Sequence, residues 1–203
     1  MAERWTKQRR LEHTRNVLLD AAEEVFARKG FDGAALEDIA EIGGYTRGAI
    51  YSHFGSKAEL FLAVVERRRQ LFLDGFADVI ATFHRLDDLD ADELGDRWRD
   101  LVGGEGSDRA ALGSEYTLYL LRNPEARDRV AAQREETAHA LADYIAKGAA
   151  RLGGQLSVSA LDLARVILAA NDGVTLNSLI DGQPVYRPFL RMVLSNIVVP
   201  KAQ

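Results

Sequence analysis

No cysteine occurs among the 203 residues. That excludes a disulfide framework, a thiolate zinc site and a cysteine nucleophile, and it fits a reducing compartment. Proline is scarce, and all 4 prolines fall at expected helix ends or in loops. Long apolar runs are missing too: stretches such as Val166 to Ala170 are far short of the roughly 20 residues a membrane span needs. No apolar stretch resembling a signal-peptide core follows the basic residues Arg4, Lys7, Arg9 and Arg10. The expectation is a soluble, cytoplasmic protein without a membrane partner. Alternating apolar residues between turn signals are absent, so no strand is expected, and neither repeats nor low-complexity segments occur.

Hydrophobic residues make up 47% of the chain, ample material for a core. The net charge of -5 argues at first against a polyanionic partner, but its distribution is uneven. Between Arg4 and Arg15 stand five basic residues against the single acid Glu12, whereas residues 58–203 hold 17 basic and 22 acidic groups. A polyanion responds to the patch within a Debye length, not to the whole-chain sum. A basic tail alone equally describes a solvated, disordered end.

Helical periodicity runs through the chain. Val17, Leu18, Ala21, Ala22, Val25 and Phe26 share one face, and Gly30 follows as a stop. Leu36, Ile39 and Ala40 mark a short second helix with Glu37 and Asp38 in its first turn, ended by Gly43-Gly44. Thr46 is placed to cap a third helix that closes near His53 and Phe54. Ser56 followed by Glu59 spells a capping box for a long fourth helix with the stripe Leu60, Phe61, Val64, Val65, Leu71, Phe72, Phe76, Val79, Ile80 and Phe83. Further helices are expected over 90–101, 109–121, 124–152 (with Asn123 as cap and Pro124 at its first position), 159–181 and 188–199.

Two short helices joined by Gly43-Gly44-Tyr45 fit a helix-turn-helix. At 100° per residue Arg47, Gly48, Tyr51 and Ser52 share an arc of about 140°, while Ala49 and Ile50 point the other way. Each exposed type suits DNA: Arg47 can fork to a guanine edge or a phosphate, Gly48 permits close approach, and Tyr51 can donate to a phosphate. Lys57 sits in the first turn of the next helix, beside backbone N–H groups that favour an anion. Spacing alone leaves open that the pair is a structural connector.

The order Gly30-Phe31, Leu36-Glu37-Asp38-Ile39-Ala40, Gly44-Tyr45-Thr46-Arg47-Gly48-Ala49-Ile50-Tyr51-Ser52-His53-Phe54 and Ser56-Lys57-Ala58-Glu59-Leu60 resembles the DNA-binding domain of the TetR (tetracycline-repressor-like) family. The resemblance implies an all-α protein: a three-helix helix-turn-helix DNA-binding domain over residues 1–57, with a basic arm, and a larger helical dimerisation and effector domain over 58–203. It implies DNA contact for Thr46, Arg47, Gly48, Tyr51, His53 and Lys57, with Arg9 and Arg10 of the arm adding more; Ser52 joins them from the exposed face of the wheel. His53 falls near the packed side of the wheel, and Phe54 reads as core. The partners implied are a pseudo-palindromic duplex operator, a second copy of the chain and a small-molecule effector that releases a repressor, with no cofactor. Two departures from the family pattern stand out: Ala34-Ala35 where many members place a capping Thr, a loss of roughly 1 kcal/mol, and Tyr45 where a smaller aliphatic is usual.

In the C-terminal part Val130, Leu141, Ile145 and Leu152 form one seam, and Leu161, Ala164 and Leu168 form another that continues into Asn171, Thr175 and Ser178. The resemblance makes these two helices a dimer interface; an intramolecular core would explain them as well. Phe76, Phe83, Trp98, Tyr116, Tyr119 and Asn171 are the candidates for an effector pocket, against their ordinary role as core. An enzyme has little to stand on. Glu136-Thr137-Ala138-His139 is a Glu-x-x-His, but a di-iron carboxylate site needs two copies and further carboxylates. No other metal, phosphate-loop or nucleophile-elbow pattern occurs, so no catalytic and no metal residues are expected. An interaction protein with a degenerate helix-turn-helix is the third reading, opposed by intact Arg47, Gly48, Tyr51 and Lys57.

Overall fold

The computed structural model describes residues 6–82, 90–101, 107–183 and 185–200, and among them the chain forms nine helices and one small pair of strands. Its contacts divide it into two compact units, Met1–Arg68 with Ala111–Tyr119, and Arg69–Ala110 with Leu120–Gln203.

In the first unit α1 (Lys7–Gly33) begins where the Thr6 hydroxyl accepts the backbone N–H of Arg9 at 3.2 Å, so the described part of the basic arm is helical. The helix does not stop at Gly30, as its sequence suggests; it kinks there. Gly30 has φ 69° and ψ 174°, backbone essentially reserved for glycine, and the chain continues for one more turn to Gly33. α2 (Leu36–Gly43) and α3 (Arg47–Phe54) follow, then α4 (Lys57–Ala81), whose start is marked by the Ser56 hydroxyl accepting from the Glu59 N–H at 3.1 Å.

Leu18, Leu19, Ala22, Val25 and Phe26 of α1 meet Leu36 and Ile39 of α2, Ile50 and Phe54 of α3, and Leu60, Phe61 and Val64 of α4 in one core. Each large side chain of this set contributes about 1.5–3 kcal/mol by leaving water. Those three α4 residues explain why the compact unit runs on to Arg68, past residue 57. Residues 111–119 lie in α6 (Ser107–Arg122) and add Leu112, Tyr116 and Tyr119 to the same core. The ring of Phe61 stands edge-on to Phe26 at 5.0 Å and to Tyr119 at 5.5 Å, and Phe31 lies 4.7 Å from Tyr119. The Glu115 carboxylate, also on α6, accepts the Phe31 N–H at 3.0 Å, just beyond the Gly30 kink.

The second unit comprises the remainder of α4 with α5 (Ala91–Leu101), α7 (Pro124–Arg151), α8 (Ala160–Asp181) and α9 (Tyr186–Ile197). Leu73, Phe76, Leu94, Trp98, Leu141, Leu163, Ala164, Ile167 and Leu190 are buried in its core. Polar groups inside find partners: Arg69 donates to the buried Thr137 hydroxyl at 2.9 Å, which donates to the Gln133 carbonyl, and the Tyr186 hydroxyl donates to Thr175 at 2.6 Å. Burial pushes the Tyr186 pKa up. α5 and α9 are further joined by Arg187–Asp96 at 2.9 Å and Arg191–Asp92 at 2.8 Å.

Three local expectations need correction. α9 begins at Tyr186, two residues before Pro188, because the first turn needs no N–H from proline. Pro124 does take the first position of α7, but the Asn123 side chain does not cap it. Strands do occur: β1 (Gly154–Leu156) pairs antiparallel with β2 (Val198–Pro200), Gln155 opposite Val199. Three residues are too few to show an alternation.

Candidate nucleic-acid interface

The turn between α2 and α3 is built from backbone. Gly44 adopts the left-handed conformation at φ 68°, its N–H reaching the Glu41 carbonyl at 3.2 Å while the Tyr45 N–H reaches Ala40 at 2.9 Å. A glycine there avoids the strain any other residue would meet. Thr46 then caps α3, its hydroxyl accepting from the Ala49 N–H at 3.3 Å.

The two departures from the family pattern have local solutions. Ala35 offers no side-chain acceptor to α2, but the Asp38 carboxylate turns back to accept the Ala35 N–H at 3.3 Å, half of a capping box. The same carboxylate takes a bond from Lys29 at 2.9 Å, the main reason its pKa lies below the ordinary value. Tyr45 is half-buried and its hydroxyl accepts from Thr14 of α1 at 3.1 Å, tying the turn to the first helix.

Ile50 is fully buried and Phe54 nearly so, which fixes the rotation of α3. Thr46, Arg47, Gly48, Tyr51 and Ser52 are therefore exposed together, and His53 is half-buried beside the Phe54 ring. Arg15 of α1 stacks its guanidinium 4.5 Å above the Phe54 ring and donates to the His53 carbonyl at 3.5 Å. Arg9 and Arg10 are exposed on the first turns of α1. Lys57 is half-buried, its ammonium donating to the Asp32 carbonyl at 3.2 Å and lying 4.9 Å from the Phe31 ring.

Arg47 is held on two sides. One terminal nitrogen donates to Glu37 of α2 at 2.6 Å, and the other lies 3.4 Å from the Tyr51 hydroxyl. The Tyr51 bond first, then the Glu37 charge, raise its pKa above the ordinary value, so the guanidinium is a permanent cation. Arg15 and Glu37 belong to this surface but are not among the contact residues expected from the sequence, where Arg15 counts only in the basic N-terminal patch and Glu37 only as a first-turn acid. Arg15 stands one helical turn after Leu11 on α1, a spacing that carries no sign of Phe54; Glu37 reads as an ordinary first-turn acid.

The effector candidates separate into different cores. Phe76 and Trp98 stand perpendicular at 5.8 Å, and the Trp98 indole N–H donates to Asn171 at 3.1 Å. Tyr116 and Tyr119 pack instead in the core of the first unit. Phe83 lies outside the described residues. His139 is exposed and pairs with Glu135 at 3.4 Å, not with Glu136; among the described residues no cluster of three or more His, Asp or Glu could hold a metal ion. No described helix is long and apolar enough to cross a membrane.

Residues 18–64 match the family model described as "Bacterial regulatory proteins, tetR family". Among curated proteins, the regulator TtgR of Pseudomonas putida is 48% identical over 55 residues, 27% of this chain. The chain thus spans about a quarter (26%) of that relative's length. Solved structures match almost end to end, among them the following two. A transcriptional regulator of Saccharomonospora viridis in complex with choline superposes with a TM-score of 0.66 at 24% identity, over 92% of this chain and 98% of that one, a likeness of fold. The multidrug binding protein EbrR complexed with imidazole gives a TM-score of 0.63 at 26% identity, over 96% and 95%.

Proposed function

We propose that this chain, whose residues 18–64 match the tetR-family model, is a TetR-family sequence-specific DNA-binding transcription regulator, a repressor that acts as a homodimer. The observation that carries this reading is the exposed set Thr46, Arg47, Gly48, Tyr51 and Ser52 on a helix whose other face is locked by Ile50 and Phe54. Two such helices enter successive major grooves of a pseudo-palindrome, about 34 Å apart. Arg47 reads a base edge; Tyr51, His53, Lys57, Arg9 and Arg10 neutralise or bond phosphates. The protein works in the cytoplasm and carries out no chemical step.

Exposed apolar side chains support self-association: Val166, Leu176 and Ile180 on α8 and Met192 on α9 all face solvent in the single chain, where an uncovered apolar surface marks an interaction site. The effector is a small organic molecule taken up by the second unit, around Phe76, Trp98 and Asn171. The reading is supported by two proteins of the same fold whose structures hold choline and imidazole. Such a ligand releases DNA only by binding one conformation of the dimer better than the other.

A shift assay on the promoter DNA flanking the gene tests the reading. Discrete retardation by a dimer, with a scrambled duplex bound far more weakly, is the expected result. Equal binding of both duplexes would refute it. A ligand that raises the melting temperature and releases the DNA would establish the effector arm.

A further inference from the structure

An acid sits in the middle of the surface assigned to DNA. The Glu37 carboxylate is 2.6 Å from the Arg47 guanidinium, and both side chains are more than half exposed. Exposed pairs of this kind add little to folding, so stability does not account for it. Nor does affinity for DNA, since a carboxylate among phosphates is repulsive. The pair is also not imposed by chain proximity: Glu37 stands in the first turn of α2 and Arg47 opens α3.

Taking the DNA-binding reading above as given, we propose that Glu37 is a specificity-determining residue that withholds Arg47 from phosphates. With Glu37 on one terminal nitrogen and the Tyr51 hydroxyl near the other, the guanidinium is already paired and oriented when the protein meets random sequence. A phosphate can also take the fork of the guanidinium, but only by displacing Glu37, so that one anion replaces another with little gain. A guanine edge is uncharged and accepts in the plane of the guanidinium without expelling the carboxylate. Glu37 thereby weakens binding to random sequence more than binding to the operator, and discrimination widens without any contact from Glu37 to a base.

The test uses two duplexes of equal length, one selected from a random pool by tightest binding to the wild-type protein and one scrambled. Glu37→Gln removes the charge with little change of shape, and Glu37→Ala removes the side chain. Both variants are expected to bind the scrambled duplex more tightly while the selected duplex changes less. Their salt dependence on scrambled DNA should steepen by about 0.9 in the log–log slope, one more phosphate neutralised. Between 50 and 200 mM salt that is roughly a threefold larger loss of affinity. In an Arg47→Ala background the same substitutions should no longer change the ratio of the two affinities. An unchanged ratio in the single variants would overturn the proposal, and so would an equal change with Arg47 absent, which is what simple relief of charge repulsion produces. A wild-type protein that selects no sequence from the pool would overturn the DNA-binding reading itself, and this proposal with it.

Discussion

Replacing Gly30 by alanine probes the joint between α1 and α6 in the first unit. Two costs arise. The backbone at φ 69° and ψ 174° lies where a residue with a Cβ is strained by about 1–3 kcal/mol. The new Cβ would also stand 3.0 Å from the Glu115 Cδ and Oε1, tight enough that the carboxylate must give by a few tenths of an ångström. The end of a glutamate can usually swing aside, but this one accepts the Phe31 N–H, and a hydrogen bond to a charged group is worth about 1.5–3 kcal/mol. Gly30→Ala should therefore destabilise by about 2.5–6 kcal/mol, a large effect for a single methyl group. Glu115→Ala alone should cost about 1.5–3 kcal/mol. The double variant should cost little more than Gly30→Ala alone, because the bond the methyl displaces is then already gone. Urea unfolding of the four proteins measures this cycle. Strictly additive losses would show that the Cβ does not dislodge the carboxylate, and a loss under about 0.5 kcal/mol for Gly30→Ala would refute the strain argument altogether.

Lys57→Ala should weaken binding to every duplex similarly and lower the salt slope by about 0.9, whereas Arg47→Ala should relax preference at one or two base positions, read by binding to a panel of singly substituted operators; binding untouched by either change would mean the DNA face lies elsewhere. Acid should destabilise the fold through Asp96, whose pKa is lowered chiefly by its hydrogen bond from Arg187. A depressed carboxylate contributes stability above its unfolded value of about 3.8 and loses it as pH falls towards the folded value. The drop in Tm between about pH 5 and pH 3 should therefore be smaller in Asp96→Asn, and an equal drop in both proteins would remove Asp96 from the account.

Much of the candidate interface was legible residue by residue. Ile50 and Phe54 on one side of a short helix and Arg47, Gly48 and Tyr51 on the other follow from a period of 3.6, and Thr46, Ser56 and Gly44 announce their local geometry because capping and left-handed turns need particular residue types. Less legible were the contacts made over distance. Nothing in the spacing of Glu115 or Tyr119 announces that α6 completes the core around Phe31 and Phe61, and the acid at position 37 looked like a helix-dipole residue.

Amphipathic periodicity, caps and glycine stops depend on neighbours within one or two turns, so the sequence by itself determined the helices, the helix-turn-helix and the face of α3 left open. Tertiary structure alone decided that Tyr116 and Tyr119 belong to a different core from Phe76 and Trp98, that Asp38 and Tyr45 make good the departures at Ala35 and in the turn, and that Arg47 is met by Glu37. Those are pairings between residues far apart in the chain, and which of many similar side chains meet is set by how helices pack, not by their order.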